Sequence, residues 1–170
     1  MDILVTPRHG HHGTFRVFDE SCDCALGRAG VRAEKREGDG ATPAGRFALR
    51  EIRYRADRLT LPETRLAAAP ILQDDGWCDD PADPAYNREV KLPYGASAEN
   101  MWREDGLYDL LVILGHNDAP PVAGMGSAIF LHCATPMLGE TEGCVALRRD
   151  TLLALAPRLH TDMMIDIRAD

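Results

Sequence analysis

The chain has 170 residues, 45% of them hydrophobic, with a formal net charge of −8 and a pI near 5.2. That length and apolar content suit a single domain, residues 1–170, with a real core, and exclude a disordered chain. The acidic balance argues against nucleic acid as a partner, since phosphate binding needs surplus Lys and Arg, and no apolar run approaches the roughly 18 residues of a membrane span. The five cysteines, Cys22, Cys24, Cys78, Cys133 and Cys144, are odd in number and do not read as a disulfide framework.

In chain order, "DILVT" and "TFRVFD" read as short strands separated by the turn "PRHGHHG". No basic segment leads into an apolar one there, so no signal peptide is expected; a cytoplasmic protein, export by another route and a trimmed mature form all stay open. His9, His11 and His12 with Cys22 and Cys24 match no closed zinc spacing, and no metal or other cofactor is expected. "VRAEKREGDGATPAGRFALREIRYR" predicts strand, turn and strand, with Gly38, Gly40 and Pro43 shaping the turn and Asp39 and Thr42 bonding to its backbone.

Residues 72–93, "LQDDGWCDDPADPAYNREVKLP", hold three prolines and five aspartates and read as a long loop. A cap over a cleft is expected near residues 74–93, with Trp77, Tyr86 and Arg88 as substrate contacts; a solvated surface insertion is the alternative. "LYDLLVILGHN" and "SAIFLHCA" predict two apolar strands. His116 and Asn117 follow the first, either lining the cleft or forming a turn. "RRDTLLALAPRL" predicts a helix with Asp150 as N-cap, and "DMMIDIRAD" a last strand. The sum is a mainly β domain with one or two short helices.

His132 and Cys144 are the residues that raise the question of chemistry, with eleven residues between them. His132 alone reads as a hydrogen-bonded core residue, because pattern alone does not fix which face of the strand it takes. Cys144 alone reads as a small buried hydrophobe. Together they fit a thiol nucleophile with an imidazole that stabilises the thiolate and shuttles the proton. Gly143 leaves room for a substrate carbonyl, and the Gly143 and Cys144 amides are candidates to face the oxyanion. Cys133, one residue from His132, should point the other way, into the core.

"HCATPMLGETEGCVAL" resembles the signature of the L,D-transpeptidases, the YkuD-domain family, through His132, Thr141, Gly143, Cys144 and Val145. "GDGATPAGRF" resembles a second landmark of that family, and "GWCDDP", "YNREV" and "GSAIFLH" one of its branches, so the likeness runs from about Arg28 to Leu155. Glu142 stands where many members carry His, and Ala146 where many carry Arg or Asn. The resemblance implies a β-sandwich catalytic domain acting on peptidoglycan stem peptides in the periplasm or at the cell wall. It implies Cys144 as nucleophile at the carbonyl of meso-diaminopimelate, His132 as acid and base, and Thr141 and Gly143 in support. Transfer to an amine, hydrolysis on the same scaffold (an L,D-carboxypeptidase, or release of diaminopimelate-linked groups), and peptidoglycan binding with an idle cysteine all remain open, as does the oligomeric state.

Overall fold

The computed structural model describes residues 2–169; Met1 and Asp170, the ends of the expected domain, lie outside them. In chain order the strands are β1 (Asp2–Pro7), β2 (His12–Val17), β3 (Glu20–Ala25), β4 (Val31–Arg32), β5 (Thr42–Pro43), β6 (Gly45–Tyr54), β7 (Ala68–Pro70), β8 (Asp75–Cys78), β9 (Glu89–Lys91), β10 (Ala98–Asn100), β11 (Leu110–Leu114), β12 (Phe130–Cys133) and β13 (Val145–Leu147). The helix α1 (Arg149–Leu155) and one 3-10 turn (Ala156–Arg158) follow, and β14 (Met164–Ile167) comes last. The fold is mainly β with one short α-helix, a β-sandwich-like arrangement, as the sequence leads one to expect.

The main sheet runs β11-β12-β13-β3-β2-β1-β14-β6-β7, with a further pairing of β11 to β6. The long strand β6 makes that closure. Its first half, Gly45–Ala48, pairs with β14, and its second half, from Leu49 to Tyr54, pairs with β11 across a register shift at Ile113 and Leu114. One strand thereby turns the corner between the two walls of the sandwich. Alternating residues fill the interior: Ile3 and Val5 from β1, Phe15 and Val17 from β2, Leu49 and Ile52 from β6, and Leu131, Cys133, Val145 and Leu147 from β12 and β13. Cys133 is buried in this core, on the face opposite His132.

Every residue of β11 and β12 is buried, because both faces of these strands are covered. The inner face meets the main core. The outer face carries Leu111, Ile113 and Phe130 into a second cluster with Ile71, Met101, Tyr108, Ala128 and Cys144. A three-stranded sheet, β10-β8-β9, flanks that cluster. The segment expected as an irregular loop therefore contains paired strands. Its polar residues hold them: Lys91 bridges Asp74 and Asp75, and Asp80 and Asp83 accept backbone N–H bonds in the turn between β8 and β9.

One local expectation is corrected. The residue before α1 is Arg148, with no side-chain cap, and Asp150 lies inside the first turn. A carboxylate there still meets the positive end of the short helix. Among the described residues no helix is long and apolar enough to cross a membrane.

Candidate active site

The strands β12 and β13 run parallel, with Leu131 opposite Val145 and His132 opposite Ala146. Side chains alternate along a strand, so Cys144, two residues before Ala146, projects on the same face as His132, diagonally across the pair. Both side chains line one cavity of about 450 Å³. The face that the sequence left open is set by Ala128, whose φ of 53 precedes the strand. From there Phe130 and His132 face outward while Ile129 and Leu131 face the main core.

The protonation pattern follows from the hydrogen bonds. His132 Nδ1 lies 2.8 Å from the Cys133 carbonyl, which can only accept. Nδ1 therefore carries the proton and Nε2 keeps its lone pair. The Cys144 thiol donates to the Ala128 carbonyl at 3.2 Å, and the Phe130 N–H donates to Sγ at 3.3 Å. Burial pulls His132 down to about 4, the Cys133 carbonyl opposing it, and pushes Cys144 up to about 12, with Glu99 adding to the rise. Burial thus favours the neutral thiol and the neutral imidazole over the charged forms of both groups.

Two distant motifs meet beneath Cys144. Thr141 Oγ1 accepts from the Gly143 N–H at 3.1 Å and donates to the Cys144 carbonyl at 2.7 Å. Thr42 Oγ1 accepts from the Gly27 N–H at 2.8 Å and reaches the same Cys144 carbonyl at 3.4 Å. Asp39 caps the turn as expected, accepting from the Arg36 and Ala41 amides, and it pairs with the buried Lys35. The landmark around residues 38–45 is thus the floor under Cys144. Gly143 differs from its sequence reading. Its φ is 142, and a Cβ there would sit 2.8 Å from the Ala41 carbonyl. The close approach that demands glycine is to that turn, not to substrate, and its N–H is engaged by Thr141 rather than facing an oxyanion.

A family model for the L,D-transpeptidase catalytic domain, YkuD, matches residues 7–167. The chain belongs to the YkuD family. No curated protein and no solved structure matches it. YkuD domains are L,D-transpeptidase catalytic domains acting on peptidoglycan, and the cavity of this YkuD chain holds a thiol, an oriented imidazole and several charged groups.

Five of the expected substrate contacts lie outside the cavity lining. Trp77 packs edge-on against Phe130 and donates to Asn87. Tyr86 donates to Glu37 and accepts from the Gly126 N–H. Arg88 donates to the Asp118 carbonyl. His116 bonds to the Met125 carbonyl, and Asn117 ties Val122 and Gly126 into a turn. They shape the walls from behind. Of residues 74–93 only Asp79 lines the cavity.

Sequence reasoning missed Glu99, Arg103 and Tyr108, which do line it. Tyr108 stacks edge-on with both Phe130 and His132 and donates to Glu99 at 2.5 Å. Burial raises Glu99, against the opposing effects of Tyr108 and Arg103. The stretch "ENMWREDGLYD" has no spacing rule to mark it, only an unusual mix of charge and aromatics before an apolar strand. Glu142 points to the rim and pairs with Arg28 at 3.1 Å, so it does not press on the thiol as its position in sequence suggests.

Proposed function

We propose that the protein is a peptidoglycan L,D-transpeptidase in which Cys144 is acylated by a stem peptide at meso-diaminopimelate and the acyl group passes to an amine. The observation that carries this reading is the placement of Cys144 and an Nε2-basic His132 on one face of two adjacent strands, in one cavity of a YkuD domain.

The chemistry follows from the neutral resting pair. As Cys144 Sγ attacks the amide carbonyl carbon, its proton passes to His132 Nε2. The imidazolium so formed is held by its Nδ1–H bond to the Cys133 carbonyl. When the C–N bond of the tetrahedral adduct breaks, Nε2–H returns the proton to the leaving amino group, and a thioester remains on Cys144. An acceptor amine then loses a proton to Nε2 as its nitrogen attacks the thioester carbonyl. Sulfur leaves and takes the proton back as thiol. Concerted transfer avoids a free thiolate in a site that cannot solvate one.

The test is incubation with tetrapeptide-bearing disaccharide peptides and product analysis by mass spectrometry. Cross-linked dimers support transfer to an amine. Peptides trimmed by one residue would reassign the acceptor to water, and unchanged peptides from a folded protein would overturn the proposal. Acting on peptidoglycan places the working protein on the periplasmic or cell-wall side, which fractionation of cells checks.

A further inference from the structure

Ala146 lines the cavity directly opposite His132 and offers only a methyl group there. The cavity nevertheless needs a cation if it is to hold a carboxylate-bearing peptide. Among the described lining residues the cations are Lys35 and Arg103. Lys35 is buried and committed, to the Asp39 carboxylate and the Arg36 carbonyl. Arg103 is different. Its Nε and Nη2 are held by Asp105 in a fork, at 3.1 and 2.5 Å. Its Nη1 makes no hydrogen bond among the described residues and has only a long ion pair, 3.7 Å, to Glu99. A third of the side chain is exposed. The guanidinium carbon sits 5.0 Å from the centre of the Tyr108 ring, and that ring meets His132 edge-on at 5.4 Å. One aromatic ring thus separates the guanidinium from the imidazole.

Resting on the transpeptidase reading, we infer that Arg103 is the substrate-binding residue for a carboxylate of the donor peptide close to the scissile amide, supplying from the loop after β10 a cation that β13 lacks at Ala146. Asp105 fixes the fork so that Nη1 points to the ligand rather than sweeping through its rotamers. Tyr108 supports the flat cation from beneath. Two groups on such a peptide carry the required chemistry: the terminal carboxylate of the leaving D-amino acid and the side-chain carboxylate of the diamino acid.

The experiment uses three synthetic stem tetrapeptides: the free acid, one amidated at the C-terminus and one amidated on the diamino acid. Dissociation constants are measured on the Cys144→Ala protein with and without Arg103→Ala, and kcat and KM on the wild type, Arg103→Ala and Arg103→Lys. With Arg103 present, one amidation should weaken binding by about tenfold to a hundredfold, the scale of a charge-assisted hydrogen bond. With Arg103→Ala the free acid should fall to the same level and that amidation should cost nothing more. The loss should appear in KM more than kcat, and Arg103→Lys should recover part of it. The amidation that matters identifies the carboxylate. Comparison within each variant cancels any loss of folded protein. If Arg103→Ala keeps the full discrimination, or if neither amidation matters, the inference is wrong while the transpeptidase reading stands. If no peptide binds the Arg103 parent and the wild type turns none over, both fail.

Discussion

A thiol held near 12 is almost wholly protonated at pH 7, and an imidazole held near 4 almost wholly neutral. Cys144 in the free protein should then react with iodoacetamide more slowly than the half-exposed Cys22, which peptide mapping after brief alkylation at pH 7 reads directly; preferential labelling of Cys144 would show a standing thiolate. The same burial makes a statement about acid stability. His132 in the fold resists protonation down to about 4, whereas in the unfolded chain it titrates near 6.5. The unfolded state binds the extra proton first, so stability falls as pH drops from about 6.5 toward 4. Between pH 8 and pH 5 that loss from His132 alone is about 2 kcal/mol. Denaturant titrations of wild type and His132→Asn at the two pH values should show the wild type losing more by roughly that amount, whatever their absolute stabilities. Equal losses would mean that His132 is solvated. Glu142→Gln should change turnover less than twofold, because its charge is spent on Arg28 at the rim.

His132 lies on β12 and Cys144 just before β13, and the elements packed around these strands hold them in place. Gly143 touches the turn before β5, and Gly143→Ala must move either that turn or Cys144, since an added Cβ would lie 2.8 Å from the Ala41 carbonyl with φ at 142. Loss of most of the turnover, with the protein still folded by circular dichroism, is the expected outcome. Phe130 lies between Trp77 and Tyr108 and gives its N–H to the sulfur. Phe130→Ala should cost about 3–5 kcal/mol of stability in a urea melt, as a fully buried aromatic truncated in a packed cluster. Asn87 is the other brace. Its amide joins Trp77, Ala128 and the carbonyls of His116 and Asn117, so one side chain ties the small sheet to the loop that leads into β12. Nothing in "YNREV" announces that role, because it depends on four partners distant in sequence.

At the scale of the whole molecule, legibility tracked locality. β1, β2, β6, β11, β12 and β14 were readable as short apolar, branched or aromatic runs bounded by turn signals, whereas β3, β7 and β13 are set by partners distant in sequence. His132 and Cys144 were marked by their residue types and the motif around them, but the contact that demands glycine at 143 comes from Ala41, far away in sequence. What was not readable depends on closure. The small sheet β10-β8-β9 forms because β11 and β12 need their outer face covered, and "CDDPADPAYN" looks like loop until that need is known. Trp77, Tyr86 and Arg88 were expected as contacts from their chemistry, yet they are engaged by Asn87, Glu37 and the Asp118 carbonyl, while Glu99, Arg103 and Tyr108 line the cavity from a stretch with no pattern.

The central claim is that Cys144 carries the acyl group, and a strained amide tests it without the natural acceptor. A carbapenem presents such a carbonyl, and opening it on Cys144 leaves a thioester that intact-protein mass spectrometry detects as one added drug mass. The expected result is a single adduct, mapped to Cys144, slower in His132→Ala and absent from Cys144→Ala although four other thiols remain. An adduct spread over Cys22, Cys24 or Cys78, or one that persists in Cys144→Ala, would contradict it.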